Sequence, residues 1–444
     1  MNAKRLRALQ ARRAGTSPAP TIKQMHRKFH EKMEEMLRRD APFIVATVID
    51  VRGSAAAKPG AKAIIDEQGR AVFGWVGGGC VESFVCTEAR EALATGMPRI
   101  ITADLEDELT GVGLPCGGVM QIFIEPVTPR RRVLVLGGSA LALEASAMLE
   151  RAGFTVTHEG IEFERGSSVI IAPQKDEALS GASSVLEAEP DYAAFLTHHE
   201  TQGQAFEQLQ RCGIKEDSLA GASLRAGLDL GGSTAAELAL SVVAEMLAAT
   251  RGASARPLQE TRMEELVSAF EAMNGRAPHP EMVIIGHSGI TEELAWLAKQ
   301  LGWRISVDST SAAQESYPAG VNIIRDDADF SRLPASSESA VIVATHHKGD
   351  HTAIERALAA GAWYVGLIAS AHRSKLVRAM LLESLHGDER LQLLRTPSGL
   401  DLGATTPSEI ALSIMSEVLA CYHGRTGQPR LPAQFYEKSG SRSV

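Results

Sequence analysis

Arg132-Val133-Leu134-Val135-Leu136-Gly137-Gly138-Ser139 places four aliphatic residues in a row directly before paired glycines. An apolar run of this length ended by glycines reads as a buried strand entering a tight turn. The residues from Ser139 to Arg151 contain no breaker and read as a helix, and Gly153-Phe154-Thr155-Val156-Thr157 reads as a second strand. Strand, glycine turn, helix, strand is the opening of a dinucleotide-binding βαβ unit, and it predicts a parallel sheet.

The arrangement returns downstream. Met282 to Gly286, then His287-Ser288-Gly289, a helical run to Leu301 and Arg304 to Val307 repeat it, with Gly286 149 residues after Gly137 and Gly302 149 after Gly153. Thr197-His198-His199 is echoed by Thr345-His346-His347 at a spacing of 148, and Gly227-Leu228-Asp229-Leu230-Gly231 by Gly399-Leu400-Asp401-Leu402-Gly403 at a spacing of 172. Repetition on this scale is an internal duplication. The change of spacing predicts a deletion of 24 residues in the first copy, between its Thr-His-His and its Gly-Leu-Asp. The predicted organisation is α/β: a small N-terminal α+β domain at 22–128 followed by two tandem Rossmann-like parallel-sheet domains. These are a degenerate copy one at 131–252 and copy two at 280–424, joined by a linker at 253–279. Residues 1–21, Arg-rich with breakers at Gly15, Pro18 and Pro20, and residues 425–444 read as tails.

Both copies carry serine, Ser139 or Ser288, where the G-x-G-x-x-G fingerprint has the second glycine that lets backbone approach a pyrophosphate. The helix start behind each turn still attracts an anion, which makes Ser288 a candidate contact for a phosphate-bearing ligand. Glu159 and Asp308 follow the second strands, where either a ribose partner or a solvated strand-end charge is expected. Gly286-His287-Ser288-Gly289-Ile290 misses the final glycine of a hydrolase nucleophile elbow. His346 follows the strand from Ala340 to Ala344 and is a candidate site-lining residue, since open parallel sheets bind ligands at the carboxyl ends of their strands. Asp350 reads as the N-cap of the next helix. Asp401, in a glycine-flanked turn, admits both a turn-making and a ligand-contact reading.

In the N-terminal domain, Lys23 to Arg39 has helical periodicity, Phe43 to Val51 reads as a buried strand, and Ala61–Asp66 with Ala71–Val76 reads as a hairpin. The hairpin feeds Gly77-Gly78-Gly79-Cys80-Val81-Glu82, ahead of a helical run from Ser83 to Thr95. Three glycines admit backbone conformations closed to other residues and allow close ligand approach, and the residue delivered next is a thiol. A short strand at Arg99–Ala103 leads to a second glycine-flanked cysteine in Gly113-Leu114-Pro115-Cys116-Gly117-Gly118, and Val119 to Val127 closes the domain. Thiolates suit a thiophilic centre or the passing of sulfur, which makes Cys80 a candidate for chemistry and Cys116 its partner. Glu82 reads either as a ligand contact or as a charge favoured in the first helical turn. Arg52, Lys58 and Lys62 could meet an anionic ligand, against the plain reading of solvated surface.

Composition limits the function classes. At about 150 residues per domain, 444 residues give roughly three. A hydrophobic share of 44% and a charged share of 22% fit a soluble globular protein, and no apolar run approaches a membrane span. A net charge of -9 argues against a dedicated nucleic-acid binder, although Lys4 to Lys28 is basic. Five cysteines without a C-x-x-C pair indicate neither a disulfide framework nor a zinc finger, and fit reduced thiols in the cytoplasm.

Four motifs in order, Val45-Ala46-Thr47-Val48 with Arg52-Gly53-Ser54, Lys58-Pro59-Gly60-Ala61-Lys62, Gly78-Gly79-Cys80-Val81-Glu82 and Gly113 to Gly118, closely resemble the XdhC/CoxI family. These are accessory proteins of molybdenum hydroxylases such as xanthine dehydrogenase and carbon monoxide dehydrogenase. Tyr364-Val365-Gly366 and the Gly-Leu-Asp-Leu-Gly turn of copy two resemble that family's C-terminal Rossmann-like domain. The resemblance implies a cytoplasmic maturation chaperone rather than a conventional enzyme. It would bind molybdenum cofactor, in molybdopterin or dinucleotide form, support its sulfuration by a cysteine desulfurase and insert it into an apo-hydroxylase. Cys80, as ligand to molybdenum or carrier of sulfur, and Cys116 would do the chemistry. Arg52, Lys58, Gly77, Gly78, Gly79, Glu82, Gly117, Gly118, Ser288, His346 and Asp401 would contact the cofactor. Copy one would serve as scaffold or as the surface of a homodimer. Ala55-Ala56-Ala57 departs from the family, whose members commonly carry a proline and an arginine there. Two other readings stand beside this one: a nicotinamide-dependent oxidoreductase built on the βαβ units, and a non-catalytic assembly scaffold.

Overall fold

The computed structural model describes residues 22–39, 41–53, 55–104, 118–128, 131–158, 167–174, 182–188, 190–196, 210–211, 226–256, 258, 280–325, 327, 329–345, 349–385 and 388–428. The chain divides into two compact units, Met1–Arg130 and Arg131–Val444, so both βαβ segments belong to the second.

The first unit comprises helix α1 (Ile22–Arg38), strands β1 (Phe43–Gly53), β2 (Lys62–Asp66) and β3 (Ala71–Gly74), helix α2 (Gly79–Thr95), and strands β4 (Arg99–Asp104) and β5 (Gly118–Val127). The strands pair antiparallel in the order β3-β2-β1-β5-β4. The unbroken apolar run at the start of β1 has a simple cause. Successive strand residues point to opposite faces, and here both faces are covered. Phe43 and Val45 join Phe29 and Met36 of α1 in one buried cluster. Ile44, Ala46 and Val48 join Val81, Val85 and Ala89 of α2 in another.

The second unit opens with β6 (Arg132–Leu136), α3 (Ala140–Arg151), β7 (Thr155–Thr157), β8 (Ser168–Ile171), α4 (Ala182–Glu187), β9 (Tyr192–Phe195) and α5 (Ala235–Arg251). It continues with β10 (Glu281–Ile285), α6 (Gly289–Gln300), β11 (Arg304–Asp308), β12 (Asn322–Ile324), β13 (Ser339–Val343), α7 (Asp350–Ala359), β14 (Tyr364–Leu367), α8 (Ala371–Ser384), β15 (Leu394–Arg395) and α9 (Pro407–Tyr422). The second set forms a parallel sheet ordered β12-β11-β10-β13-β14-β15, which is 3-2-1-4-5-6 in chain order, the Rossmann arrangement. The first set forms the parallel sheet β7-β6-β8-β9, the same order without strands three and six among the described residues.

Strand pairing relocates the expected deletion. Leu136 pairs with Ile171 as Ile285 pairs with Val343, so β8 corresponds to β13 at a spacing of 172. Tyr192 in β9 and Tyr364 in β14 are also 172 apart. The change from 149 to 172 therefore falls between β7 and β8, and copy one lacks 23 residues there, including the stretch that forms β12 in copy two. The Thr-His-His echo misled because Thr345 follows β13 whereas Thr197, outside the described residues, follows β9 in the chain.

The two copies meet through α5 and α9 about an approximate two-fold axis. Arg251 at the end of α5 pairs with Glu409 at the start of α9, while His423 Nε2, just past α9, lies 2.9 Å from Glu237 at the start of α5. Residues 251 and 423, like 237 and 409, are 172 apart, so each contact is the other's mate. The backbone repeats the pattern. The Asp229 and Gly427 amides donate to the Gln428 and Asp229 carbonyls at 2.8 and 3.0 Å, and the Asp401 and Ala255 amides to the Arg256 and Asp401 carbonyls at 2.6 and 2.7 Å. Reciprocal pairing of this kind marks an isologous interface, here inside one chain. Buried residues of both copies form one contiguous core.

Arg251→Ala should destabilise the second unit by about 2 kcal/mol, the usual loss when a nearly buried carboxylate such as Glu409 is left without a charged donor. Chemical denaturation measures it, and a change below about 0.5 kcal/mol would show that the joint does not depend on this pair.

Candidate functional site

Strand polarity gathers the N-terminal candidates. In the antiparallel sheet, the carboxyl ends of β1, β3 and β4 and the amino ends of β2 and β5 all lie at one end. The connections leaving that end are 54–61, 75–78 and 105–117. They contain Lys58, the glycines that lead into Cys80, and Cys116. The β1–β5 register sets Arg52 opposite Val119 and Gly53 opposite Gly118, so the cation and the last glycine of the Cys116 motif share the same strand end. Cys116 and Gly117 themselves lie outside the described residues.

The glycine triplet acts differently from expectation. The helix starts at Gly79 rather than at Ser83, so Cys80 lies in the first turn of α2 and not in a loop before it. Gly77 has φ of +154°, and a Cβ there would come within 2.8 Å of Val81, so only glycine fits. Gly78 is the N-cap, extended and without a side chain to cap the helix, and nothing lies within 4 Å of where its Cβ would be. The start of α2 therefore has no side-chain cap, the Val81 amide donating to the Gly78 carbonyl at 2.9 Å, and it lies beside an open surface, a setting that favours anions and thiolates. Glu82 is also in this first turn. The two thiols with described surroundings are poorer nucleophiles. Burial, then the Glu82 charge, pushes the Cys86 thiol up, and burial, then Glu417, pushes the fully buried Cys421 well up.

The cations of this end are held loosely. Arg52 Nε lies 3.2 Å from Asp50, with both side chains exposed, and Lys58 Nζ donates to the Ala55 carbonyl at 3.4 Å. Lys62 Nζ donates to Thr47 Oγ1 at 2.8 Å. A surface ion pair such as Arg52–Asp50 is worth little and yields readily to a phosphate.

In copy two, the strand ends bring together a second group. Ser288 caps α6: its hydroxyl accepts from the Thr291 amide at 3.4 Å, and Thr291 Oγ1 accepts from the Ser288 amide at 2.8 Å. His287 Nδ1 lies 3.0 Å from the Tyr317 hydroxyl, which lies 3.2 Å from Thr291 Oγ1. Asp308 ends β11 and is buried; burial, then the neighbouring Asp327 carboxylate, pushes its carboxyl up to about 7 against the opposing pull of Arg332. No hydrogen-bond partner reaches Asp308 Oδ2 among the described residues. Asp327 accepts from the Ser331 amide at 3.0 Å, the Ser331 hydroxyl at 3.2 Å and the Arg332 amide at 2.8 Å.

One expectation changes, and the contacts of Asp401 fit the turn-making one of its two readings. Asp350 is not the N-cap of α7; Gly349 occupies that position with φ of +86°, and the Asp350 carboxylate is drawn instead into an ion pair with Arg373 and a hydrogen bond from Thr345. The Asp401 carboxylate accepts from the Ser254 amide at 3.1 Å and hydroxyl at 2.7 Å, which places it in the joint between the copies as a turn-holding group. His346 and Glu159 lie outside the described residues. Sequence reading missed Asp327, Tyr317 and Arg373, which come from irregular segments or another helix; the repeated Tyr192/Tyr364 spacing was the one available cue to a shared core. Among the described residues, no group of three or more His, Cys, Asp or Glu could hold a metal ion, and no helix is long and apolar enough to cross a membrane.

Comparison with known proteins adds to this geometry. The family description XdhC Rossmann domain fits residues 133–246 and again 282–418, and that of the XdhC and CoxI family fits residues 36–104. A Bacillus subtilis protein described as a probable xanthine dehydrogenase component is 23% identical over 404 residues, covering 88% of this chain and 96% of that protein. The molybdenum cofactor insertion chaperone PaoD of Escherichia coli is 30% identical over 111 residues, 25% of this chain and 35% of that protein. The uncharacterized protein YqeB of Escherichia coli is 26% identical over 247 residues, 49% of this chain, and the chain spans only 44% of YqeB. A solved structure of a xanthine dehydrogenase from Bacillus halodurans is 19% identical, covering 91% of this chain and 98% of that one, with a TM-score of 0.30.

Proposed function

The chain belongs to the XdhC and CoxI family, and on that footing we propose that it is a maturation chaperone that carries molybdenum cofactor as cargo and delivers it to an apo molybdenum hydroxylase. The observation that carries this reading is the single sheet end from which the connections bearing Lys58 and Cys116 and the glycine connection leading into Cys80 leave, next to Arg52. The donor set suits the cargo. The uncapped start of α2 with Arg52 and Lys58 would receive the phosphate, whether of the molybdopterin or the dinucleotide form, and a Cys80 thiolate is a soft ligand for molybdenum. While the cofactor is held, a cysteine desulfurase would supply its sulfur, and the open surface at Gly78 gives partners access. A homodimer would have to use a surface other than the face of α9 that α5 already covers.

Reconstitution of a client hydroxylase tests the reading, with client activity and molybdenum occupancy followed for the wild type, Cys80→Ala and Cys116→Ala. Cys80→Ala should cut client activation at least about fivefold, about 1 kcal/mol or more in delivery. Equal activation by all three proteins would leave a scaffold role and sink the thiol assignment.

A further inference from the structure

We propose that a cavity at the amino end of the copy-two sheet, beside the joint between the copies, takes a small molecule carrying a guanidinium group. Trp303 and Tyr422 flank the ligand, and the carboxylates of Glu237 and Glu338 hold its charge. The inference is independent of cofactor delivery, and the site lies at the opposite end of the sheet from the strand ends that bear Ser288 and Asp308.

The starts of three parallel strands frame the space. Pro280 precedes β10, Trp303 and Arg304 lead into β11, and Glu338 precedes β13. With Tyr422 at the end of α9 and Glu237 at the start of α5, they line a cavity of about 500 Å³ among the described residues. That is the size of a small-molecule site. Both copies build it, since Glu237 belongs to copy one. Its aromatic wall is braced from behind: the Trp303 and Tyr422 rings lie 5.5 Å apart, and buried Trp363 packs 6.3 Å from the first and 5.8 Å from the second.

The approximate two-fold points to the ligand. Arg131 stands in copy one where Pro280 stands in copy two, 149 residues later. The backbone seats them alike: the Thr155 amide donates to the Arg131 carbonyl at 3.0 Å, as the Arg304 amide does to the Pro280 carbonyl at 3.3 Å. Arg131 Nη1 donates to Thr250 Oγ1 at 3.2 Å, and Thr250 is the mate of Tyr422 at the spacing of 172. The arginine side chain thus runs from the equivalent of one cavity wall to the equivalent of another. Burial, then the Arg251 charge, pulls its pKa down, while Glu409, the mate of Glu237, and Asp191 hold it up. Copy two has no such cation at Pro280, and it carries Trp303, Trp363 and Tyr422 where copy one carries Phe154, Asp191 and Thr250. The carboxylate is common to both. Against burial, hydrogen bonds from His423, Thr234 and Ser233 hold the Glu237 carboxyl down to about 2, so it is ionised at neutral pH. Glu338 adds a second negative charge to the lining, and its exposed pair with Arg304, at 2.8 Å, yields readily. An anionic cavity with aromatic walls, at the place where its mate holds a guanidinium, suits a planar organic cation that stacks on ring faces.

Fluorescence titration of the full chain with n-butylguanidine and with n-butylurea, its neutral counterpart of the same shape, tests the proposal. Because Trp303 is part of the wall, n-butylguanidine should change the tryptophan emission saturably at millimolar concentration or below. The urea should bind about tenfold or more weakly, since it lacks the charge that the carboxylates and ring faces attract. Pro280→Arg gives copy two the side chain that copy one has at this place, and it should abolish saturable binding. No saturable response to n-butylguanidine at millimolar concentration, equal binding of n-butylurea, or undiminished binding to folded Pro280→Arg would overturn the proposal. The first two outcomes need no variant, so the test does not depend on how Pro280→Arg folds.

Discussion

Glu417→Ala is expected to cost the second unit about 3–5 kcal/mol, the loss that follows when one member of a buried ion pair is removed and the other charge stays behind. Arg395 and Glu417 are both wholly buried, and the guanidinium donates to Glu417 Oε1 through Nε at 3.1 Å and Nη2 at 2.8 Å. Burial works against the Arg395 charge, but Glu417 above all holds its pKa above the ordinary value. The other carboxylate oxygen accepts from the Tyr364 hydroxyl at 2.6 Å and the Gly399 amide at 2.8 Å. Alanine would strand a cation, a phenol and an amide together between the sheet and α9. Tyr364→Phe removes only one donor and should cost about 1 kcal/mol. Denaturant titration of the three proteins checks the ranking; a loss under 1 kcal/mol for Glu417→Ala would mean that water enters to solvate Arg395. The mate of Glu417 in copy one, Glu245, accepts from Tyr192 at 2.6 Å and the Gly227 amide at 2.9 Å, so the tyrosine and amide contacts belong to the repeat unit itself.

Stability should also fall as pH rises from about 4 to 7 through Asp308. Its folded pKa of about 7 exceeds the unfolded value of 3.8, so across this window the folded state keeps a proton that the unfolded chain has released. The slope is therefore negative with rising pH. About three pKa units at about 1.4 kcal/mol each bound the effect at roughly 4 kcal/mol. Glu237 works in the opposite sense: hydrogen bonds from His423, Thr234 and Ser233 outweigh burial and hold it down to about 2, so its contribution is present above 4.5 and is lost as pH falls towards 2. Comparing wild type with Asp308→Asn at each pH cancels Glu237 and every other group. The variant should gain on the wild type from about pH 4 to pH 7 and level off above that, and parallel curves would refute a raised Asp308.

Local pattern made much of this molecule readable. The glycine turns after β6 and β10 announce themselves because Gly137 and Gly286 must be glycine, with φ near +107° and a carbonyl where a Cβ would be. The duplication is legible for the same reason, since both copies must solve the same steric problem at the same place. What stayed hidden depends on distance in the chain. Asp308 meets Asp327, Asp350 meets Arg373 and Arg395 meets Glu417 across gaps of about twenty residues with no shared period. The start of α2 was misread because glycine counts against a helix interior, yet the first turn carries little of that cost when an adjacent residue packs, as Val81 does. A short string such as Thr-His-His can match by chance, whereas strand register cannot.

The two-fold joint has a bearing on how such a protein can change. In an assembly of identical protomers every substitution appears twice, so neither end of the interface can be altered alone. Once both halves are encoded in tandem, each drifts separately, while the covalent tether keeps the effective concentration of one half near the other at roughly millimolar or above. That freedom is already visible: one end of the joint carries the guanidinium of Arg251, and the equivalent position at the other end carries the imidazole of His423. It is also visible in the sheets, where one half lacks the stretch that forms an edge strand in the other.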